Sequence, residues 1–154
     1  MTWDGVKMRS YLPAVARLVR LFDENPETRT FGLRLEEADS ATVVGFRAAR
    51  PGQFVLLSIF GFGEAAFTLS SLTGLPPDRP RIDLTIRRVG SLTRAAFELH
   101  VGDLVGLRGP FGRGFAIDPA SVAARTLYVA GGCGLSPMKP AIELQLAVLV
   151  EQVP

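Results

Sequence analysis

Apolar and polar residues alternate along much of the chain, which is the pattern of strands with one buried face. Between Arg81 and Arg87, for example, Ile82, Leu84 and Ile86 alternate with polar residues. Comparable runs occupy residues 11–22, 28–36, 54–60, 66–71 and 104–107. Six short strands at this spacing predict a closed or nearly closed antiparallel barrel, so the fold is expected to be mainly β.

The first of these segments, residues 11–22, is compatible with either an amphipathic helix or a twisted strand. Pro13 near its start, the turn residues at 23–28 and the alternating run that follows favour a hairpin-like strand pair. Residues 37–49 show no clear period and are taken as a variable connection. The run at 54–60 is apolar on both parities, which predicts a central strand with a neighbour on each side.

A short helix is predicted after the strand at 82–87. Ser91 can cap it, and its apolar positions recur at helical spacing: Leu92, Ala95, Ala96 and Leu99. The amides of its first turn are free and lie beside an arginine and a hydroxyl, an arrangement that suits a phosphate or pyrophosphate. The alternative is a compact connection without a ligand.

The pattern changes after residue 117. Residues 125–130 predict a short strand, and a glycine-rich turn and a helix to Val150 follow it. Strand, glycine turn and helix form the first half of a nucleotide-binding βαβ unit, but no returning strand follows. The helix is apolar on most of its circumference, so we expect an exposed patch that another subunit covers, or else a sequence that is truncated within this unit.

Composition limits the classes of function. With 154 residues, 47% hydrophobic and 21% charged, the chain can form a globular core. Seventeen basic against fifteen acidic residues, without a dense basic run, argue against nucleic-acid binding. The single cysteine, Cys133, excludes an internal disulfide and a cysteine-only metal cluster. Neither a signal peptide nor a membrane span is evident, so we expect a cytoplasmic protein.

Five stretches carry a family resemblance when taken together and in order. They are PGQFV at 51–55, AFTLSS at 66–71, IRRVGSLTRAAFEL at 86–99, VGDLVGLRGPFGRGF at 101–115 and VAGGCGLSPMKPAI at 129–142. The ordered set resembles the ferredoxin-NADP reductase superfamily. It is most similar to the branch that contains the gamma subunits of cytoplasmic hydrogenases and the electron-transfer subunit of dihydroorotate dehydrogenase.

The resemblance implies a six-stranded Greek-key flavin-binding barrel followed by an incomplete α/β nucleotide-binding unit. Residues 1–10 would be an amino-terminal extension and residues 11–118 the FAD-binding barrel. Residues 119–154 would form the first strand, turn and helix of a truncated NAD(P)-binding domain.

The resemblance also implies a set of cofactor-binding residues. In the family, the strand that matches Phe67, Thr68, Leu69 and Ser70 lies along the isoalloxazine ring, with the hydroxyl of Thr68 near its reactive edge. The FAD pyrophosphate would be held by Ile86, Arg87, Arg88, Gly90, Ser91, Leu92 and Thr93. The nicotinamide dinucleotide would lie at Gly131, Gly132, Cys133, Gly134 and Pro137. The family's Arg-x-Tyr-Ser signature falls on residues 65–68, where alanine replaces arginine and phenylalanine replaces tyrosine.

The function implied is that of a flavoprotein module that passes electrons between NAD(P)H and a redox partner such as a hydrogenase or iron-sulfur subunit. FAD is the expected cofactor, with FMN left open. NAD or NADP would need a completing domain, and no metal is expected. The partner would dock near residues 144–150, and no side chain is assigned as an acid or base. The alternatives are a non-catalytic barrel or assembly subunit without flavin, and a free-standing flavin reductase.

Overall fold

A computed structural model of the chain describes residues 12–37, 40–71, 81–117 and 126–151. These residues form six strands: β1 Ala14–Asn25, β2 Thr28–Glu37, β3 Phe54–Ile59, β4 Gly63–Ser71, β5 Arg81–Arg87 and β6 Leu104–Phe111. They also form three α-helices: α1 Ser40–Arg47, α2 Ser91–Phe97 and α3 Leu135–Glu151. The predicted extension at 1–10 and the predicted domain boundary at 118/119 lie outside the described residues, so both stay predictions.

The six strands close into an antiparallel barrel in the order β1-β2-β5-β4-β3-β6. Residues 11–22 form a strand rather than a helix, since β1 pairs with β2 from Val15 opposite Glu37 to Asn25 opposite Thr28. Strands β3, β4 and β5 are neighbours in chain order, and β6 returns beside β3, which is the Greek-key order. The predicted barrel is therefore confirmed.

Alternate residues of each strand fill the barrel interior. In β3, Val55, Leu57 and Ile59 point inward, and the strand lies between β4 and β6 as its apolar pattern predicted. Helix α2 packs on the core through Leu92 and Ala96. The other buried apolar residues of the core are Ala16, Leu18, Phe31, Leu33, Leu35, Phe46, Leu69, Ile82, Leu84, Ile86, Val105 and Leu107.

The connection at residues 37–49 contains a helix, α1, that sequence patterning missed. Its eight residues include one fully buried aromatic side chain, that of Phe46. Helix α1 packs against β6. A helix this short has too few turns to show a clear apolar period, and its stability comes from the contact of Phe46 with the barrel.

The strand predicted at residues 125–130 is wrong for the part that the structure describes. Residues 126–130 form no strand, and Leu127 and Val129 retain 85% and 73% of their accessible surface. A strand requires a hydrogen-bonded neighbour, and none of the described strands lies beside this segment.

The predicted helix that follows is confirmed as α3, which lies against β4 with Pro140 and Ala141 buried. Because the inner face of β4 fills the barrel, α3 covers part of the outer face. Within the described part of the chain, no helix is both long and apolar enough to span a bilayer.

Candidate functional site

The turn after β5 holds two arginines in different environments. The Arg87 guanidinium pairs with the Glu27 carboxylate at 2.8 Å and is exposed. The Arg88 guanidinium lies over the Phe97 ring, 5.2 Å from its centroid. Arg88 also donates its amide to the Glu27 carbonyl at 2.8 Å, which fixes this turn against the β1–β2 hairpin. The charge of Arg87 is therefore exposed but paired with Glu27, whereas Arg88 covers an aromatic ring.

The start of α2 differs from the sequence prediction. Gly90, rather than Ser91, is the N-cap residue, and Ser91 is the first helical residue. The buried hydroxyl of Thr93 accepts hydrogen bonds from the amides of Val89 at 2.9 Å and Gly90 at 2.8 Å. It also donates to the Gly90 carbonyl at 3.0 Å. Thr93 therefore uses its hydroxyl to shape the turn.

Three amides remain available at the start of α2. Those of Ser91, Leu92 and Thr93 have no intrahelical partner, and no acceptor among the described residues bonds them. The side chains of Ile86 and Leu92 lie in the barrel core, so these two residues can offer only backbone groups to a ligand.

On β4, the predicted flavin-facing residues divide between the two faces of the barrel. Phe67 packs against the core, and Leu69 is fully inside it. By the alternation with Phe67 and Leu69, Thr68 lies on the outer face, where it is half-buried. Ser70 lies at a register shift of the β4–β5 pairing, between Leu69 and Ser71. Ser70 is only 3% exposed, and its Oγ has no hydrogen-bond partner among the described residues. A buried hydroxyl without a partner is costly, so it calls for a hydrogen-bonding group beyond those that the described residues supply.

The glycine-rich turn before α3 forms one short 3₁₀ turn, Gly132–Gly134. Gly132 has a φ of 52°, which favours glycine. Gly131 and Gly134 have ordinary backbone conformations, and a Cβ at either would meet no atom of the described residues within 4 Å. Cys133 is exposed, and Pro137 is half-buried in the first turn of α3. Packing among the described residues therefore does not explain why Gly131 and Gly134 are glycines.

A cavity of about 420 Å³ is lined by three of the predicted site residues. It brings Arg87 of the predicted pyrophosphate set together with Gly132 and Cys133 of the predicted nicotinamide set. The other lining residues are Glu24, Asn25, Glu27, Thr28, Thr85, Leu135, Ser136 and Lys139. The cavity carries both acidic and basic side chains, together with hydroxyls, and can bind a polar ligand with charge of either sign.

Other predicted site residues do not line this cavity. They are Phe67, Thr68, Leu69, Ser70, Ile86, Arg88, Gly90, Ser91, Leu92, Thr93, Gly131, Gly134 and Pro137. Sequence reasoning in turn missed Thr85 and Lys139. The period of β5 could have indicated Thr85, which shares a strand face with Arg87. Lys139 lies one turn after Ser136 on α3, a helical spacing that could have indicated it.

A second arginine supports the hairpin beside the cavity. Arg29 donates to the Asp23 carboxylate at 2.6 Å and, like Arg88, lies over the Phe97 ring, 4.9 Å from its centroid. The hydrogen bond from Arg29 holds the pKa of Asp23 below its usual range. Among the described residues, no group of three histidine, cysteine, aspartate or glutamate side chains is placed to hold a metal ion.

No family model matches the chain. The gamma subunit of sulfhydrogenase 2 from Pyrococcus furiosus is 33% identical over 132 residues, which are 86% of this chain and 43% of that protein. A protein of Methanocella arvoryzae named as a probable dihydroorotate dehydrogenase B (NAD(+)) electron transfer subunit is 33% identical over 128 residues. This match covers 83% of this chain and 42% of that protein.

Solved structures share the fold. The Amycolatopsis cytochrome P450 reductase GcoB matches with a TM-score of 0.69 and 26% identity over 88% of this chain and 39% of that one. An NADH-dependent reduced ferredoxin-NADP oxidoreductase matches with a TM-score of 0.67 and 20% identity, over 88% of this chain and 45% of that one. At 20% identity, the second match shows the fold alone.

The barrel, the ordered motifs and these similarities all point to the same group of proteins. The homologues of the chain are hydrogenase gamma subunits and electron-transfer subunits of dihydroorotate dehydrogenase B. Its structural neighbours are proteins of the ferredoxin-NADP reductase type. The chain spans less than half the length of these two relatives, at 43% and 42%.

Proposed function

We propose that this chain is the flavin-binding part of an oxidoreductase that passes electrons between NAD(P)H and a redox partner subunit. The observation that carries the proposal is the cavity in which Arg87 meets Gly132 and Cys133. The names of the homologues support it, since both are subunits and one is named for electron transfer. The single unpaired cysteine favours a reducing compartment such as the cytoplasm.

The residues present fit an FAD. Ser70 of β4 has a buried hydroxyl that no described residue bonds. Gly90 has an extended backbone, with φ −129° and ψ −178°, and a Cβ there would meet no atom of the described residues within 4 Å. Its lack of a side chain therefore leaves room for a ligand to approach the turn at Arg87.

When bound, FAD would supply the exchange between two-electron and one-electron steps. The chain's own residues would bind and orient it. We propose that Arg87 and the free amides of Ser91 and Leu92 hold the pyrophosphate, and that Thr68 and Ser70 donate hydrogen bonds along the ring. We propose that NAD(P)H would approach the turn at Gly131–Pro137 and would need protein beyond these residues to bind.

The absorbance spectrum of the purified chain, recorded before and after adding FAD, tests the proposal. We expect flavin bands that remain after gel filtration. Gly90→Ala should weaken FAD binding about tenfold or more, because its methyl group occupies the approach to the turn. Gly45→Ala is the matched control, since its Cβ would make only an ordinary 3.7 Å contact with Pro110 Cδ. A colourless chain that takes up no FAD at millimolar concentration would overturn the proposal.

A second candidate is a non-catalytic barrel or assembly subunit without flavin. The packing of α3 on the outer face of β4 favours it, because this helix already covers part of the surface proposed for the ring. Ala65 in place of the family's arginine favours it as well. The two candidates predict opposite results in the absorbance experiment.

We also propose that a partner subunit covers residues 144–150, as the apolar pattern of α3 predicted. Leu144 and Leu146 are exposed on this helix, and Leu127 and Val129 are exposed on the preceding segment. Exposed apolar side chains in this number are typical of protein interaction surfaces. The subunit names of the homologues support a partner of this kind.

A further inference from the structure

The β3–β4 hairpin ends in a tip that carries two exposed aromatic side chains. Phe60 and Phe62 each retain 60% of their accessible surface, one on either side of Gly61. Gly61 has a φ of 84°, and the Phe62 amide donates to the Ile59 carbonyl at 2.9 Å, so the tip is a tight turn. Tips of this kind usually carry small polar residues. Two phenylalanines at this tip bury little surface within their own chain.

The hairpin is held in place below its tip. The Glu64 carboxylate accepts hydrogen bonds from the Ser58 hydroxyl at 2.9 Å and from Arg108 Nε at 3.0 Å. Arg108 lies on β6, so this group of side chains ties the hairpin to the neighbouring strand. The two phenylalanines are therefore presented from a fixed base, which lowers the entropy that binding would cost.

The tip borders a groove of about 320 Å³ between the hairpin, the end of α2 and the beginning of β6. Phe60 and Phe62 line it together with Leu99 and the exposed Leu104. Single exposed apolar side chains are normal on protein surfaces, but apolar side chains that line one groove mark an interaction site. Aromatic side chains are also the residues that contribute most to binding at protein interfaces.

The charge of the groove indicates the chemistry of its occupant. Glu98 and Asp103 line it and are exposed, and no basic side chain is among the described lining residues. In a symmetric dimer through this groove, the carboxylates of both copies would lie close together, which is unfavourable. The groove therefore suits a different protein with basic residues around an apolar side chain.

We propose that this groove docks a partner protein through an apolar side chain flanked by lysine or arginine. The apolar side chain enters between Phe60 and Phe62, and the basic residues face Glu98 and Asp103. This surface is distinct from the one at residues 144–150. Its docking role does not depend on flavin binding, so this proposal is tested independently of the proposed function.

Titration of two matched peptides into the isotope-labelled chain, followed by NMR, tests the proposal. One peptide carries a leucine-phenylalanine pair between lysines, and the other carries the same pair between glutamates. We expect the basic peptide to shift the amide signals of Phe60, Phe62 and Leu104 and to bind about tenfold more tightly than the acidic one. Added salt should weaken this preference.

Variants separate the groove from other surfaces. The double variant Phe60→Ser, Phe62→Ser should lose binding of the basic peptide, and Glu98→Lys should weaken it about tenfold. Val44→Ser, at a position of α1 that is 59% exposed and outside the groove, is the control and should bind as the unchanged chain does. Each variant should keep its thermal midpoint, because all of these side chains are exposed.

Three results would overturn the proposal. The first is equal binding of the two peptides or no binding of either. The second is binding that survives the double Phe60, Phe62 variant. The third is a dimer, detected by sedimentation, that this double variant converts to a monomer, because the groove would then be an interface between copies of the chain.

Discussion

Thr93 has a polar side chain in a buried position and uses it on the backbone around it. Its hydroxyl accepts from the amides of Val89 and Gly90 and donates to the Gly90 carbonyl. Glycine has no side chain to cap α2, so this threonine takes over part of the capping from inside the helix. The conformation of the Arg87–Gly90 turn, and with it the position of the proposed FAD site, depends on this residue.

Thr93→Val should therefore lower the free energy of unfolding by about 1–3 kcal/mol, because it leaves two partly buried amides without an acceptor. Ser91→Ala should change it by less than about 0.5 kcal/mol, because Ser91 is exposed and does not cap the helix. Urea unfolding of both variants measures the difference. A loss for Thr93→Val that is no larger than the loss for Ser91→Ala would contradict the role of the threonine hydroxyl in the turn.

Through Glu64, the stability of the fold is expected to depend on pH. The hydrogen bond from Arg108 holds the pKa of Glu64 below its usual range, and the Ser58 hydroxyl lowers it further. A carboxyl whose pKa is lower in the folded state stabilises the fold above its unfolded pKa of about 4.3. This stabilisation is lost as the pH falls through the folded pKa.

Glu64→Gln should therefore be less stable than the unchanged chain by about 0.5–1 kcal/mol at neutral pH. The difference in stability between the two chains should disappear as the pH falls from about 4.3 towards 3, because the carboxyl of the unchanged chain becomes protonated. Thermal unfolding of both chains at several pH values measures this difference. A difference that is constant over this range would mean that the Arg108 pair contributes nothing to stability.

At the scale of elements, α3 and the barrel are held together differently from the strands. The strands share backbone hydrogen bonds around a closed ring, whereas α3 rests on the outer face of β4 through side chains such as those of Pro140 and Ala141. Side-chain packing on a single face is easier to open locally than a closed ladder of strands. We expect α3 to leave β4 without unfolding the barrel.

Ala141→Asp tests this expectation. It places a carboxylate in a position that is 1% exposed, so α3 should move away from β4 rather than bury the charge. Hydrogen exchange in α3 should become about tenfold faster or more, and exchange in the strands should not change. Ala147→Asp, at an exposed position of the same helix, is the control and should leave both rates unchanged. Faster exchange throughout the barrel would contradict the prediction.

At the scale of the whole molecule, a ligand that binds only the folded state must stabilise it. If FAD binds as proposed, a concentration about a hundred times its dissociation constant should add about 2.7 kcal/mol to the free energy of unfolding. Thermal unfolding with and without FAD measures this gain, with the Gly90→Ala chain at the same concentration as the comparison. A midpoint that FAD does not change would favour the non-catalytic alternative.

The sequence alone predicted the barrel and the residues that face its interior. The alternation of Ile82, Leu84 and Ile86 with polar residues determines which face of β5 is buried, because a strand places successive side chains on opposite sides. The turn residues between β1 and β2 likewise determined a hairpin. These features depend on neighbours a few residues apart, so periodicity is enough to find them. The ordered motifs likewise indicated the homologues of the chain, because each motif is a short local stretch.

Tertiary structure decided what depends on distant segments. The register of β2 on β5 sets Thr28 opposite Arg87, which brings the β1–β2 turn, and Glu27 with it, to the cavity. Helix α1 forms because Phe46 has a barrel to pack against, and residues 126–130 form no strand because no described strand lies beside them. Contacts between segments that are distant in sequence determine register and packing, so a local sequence pattern cannot predict them.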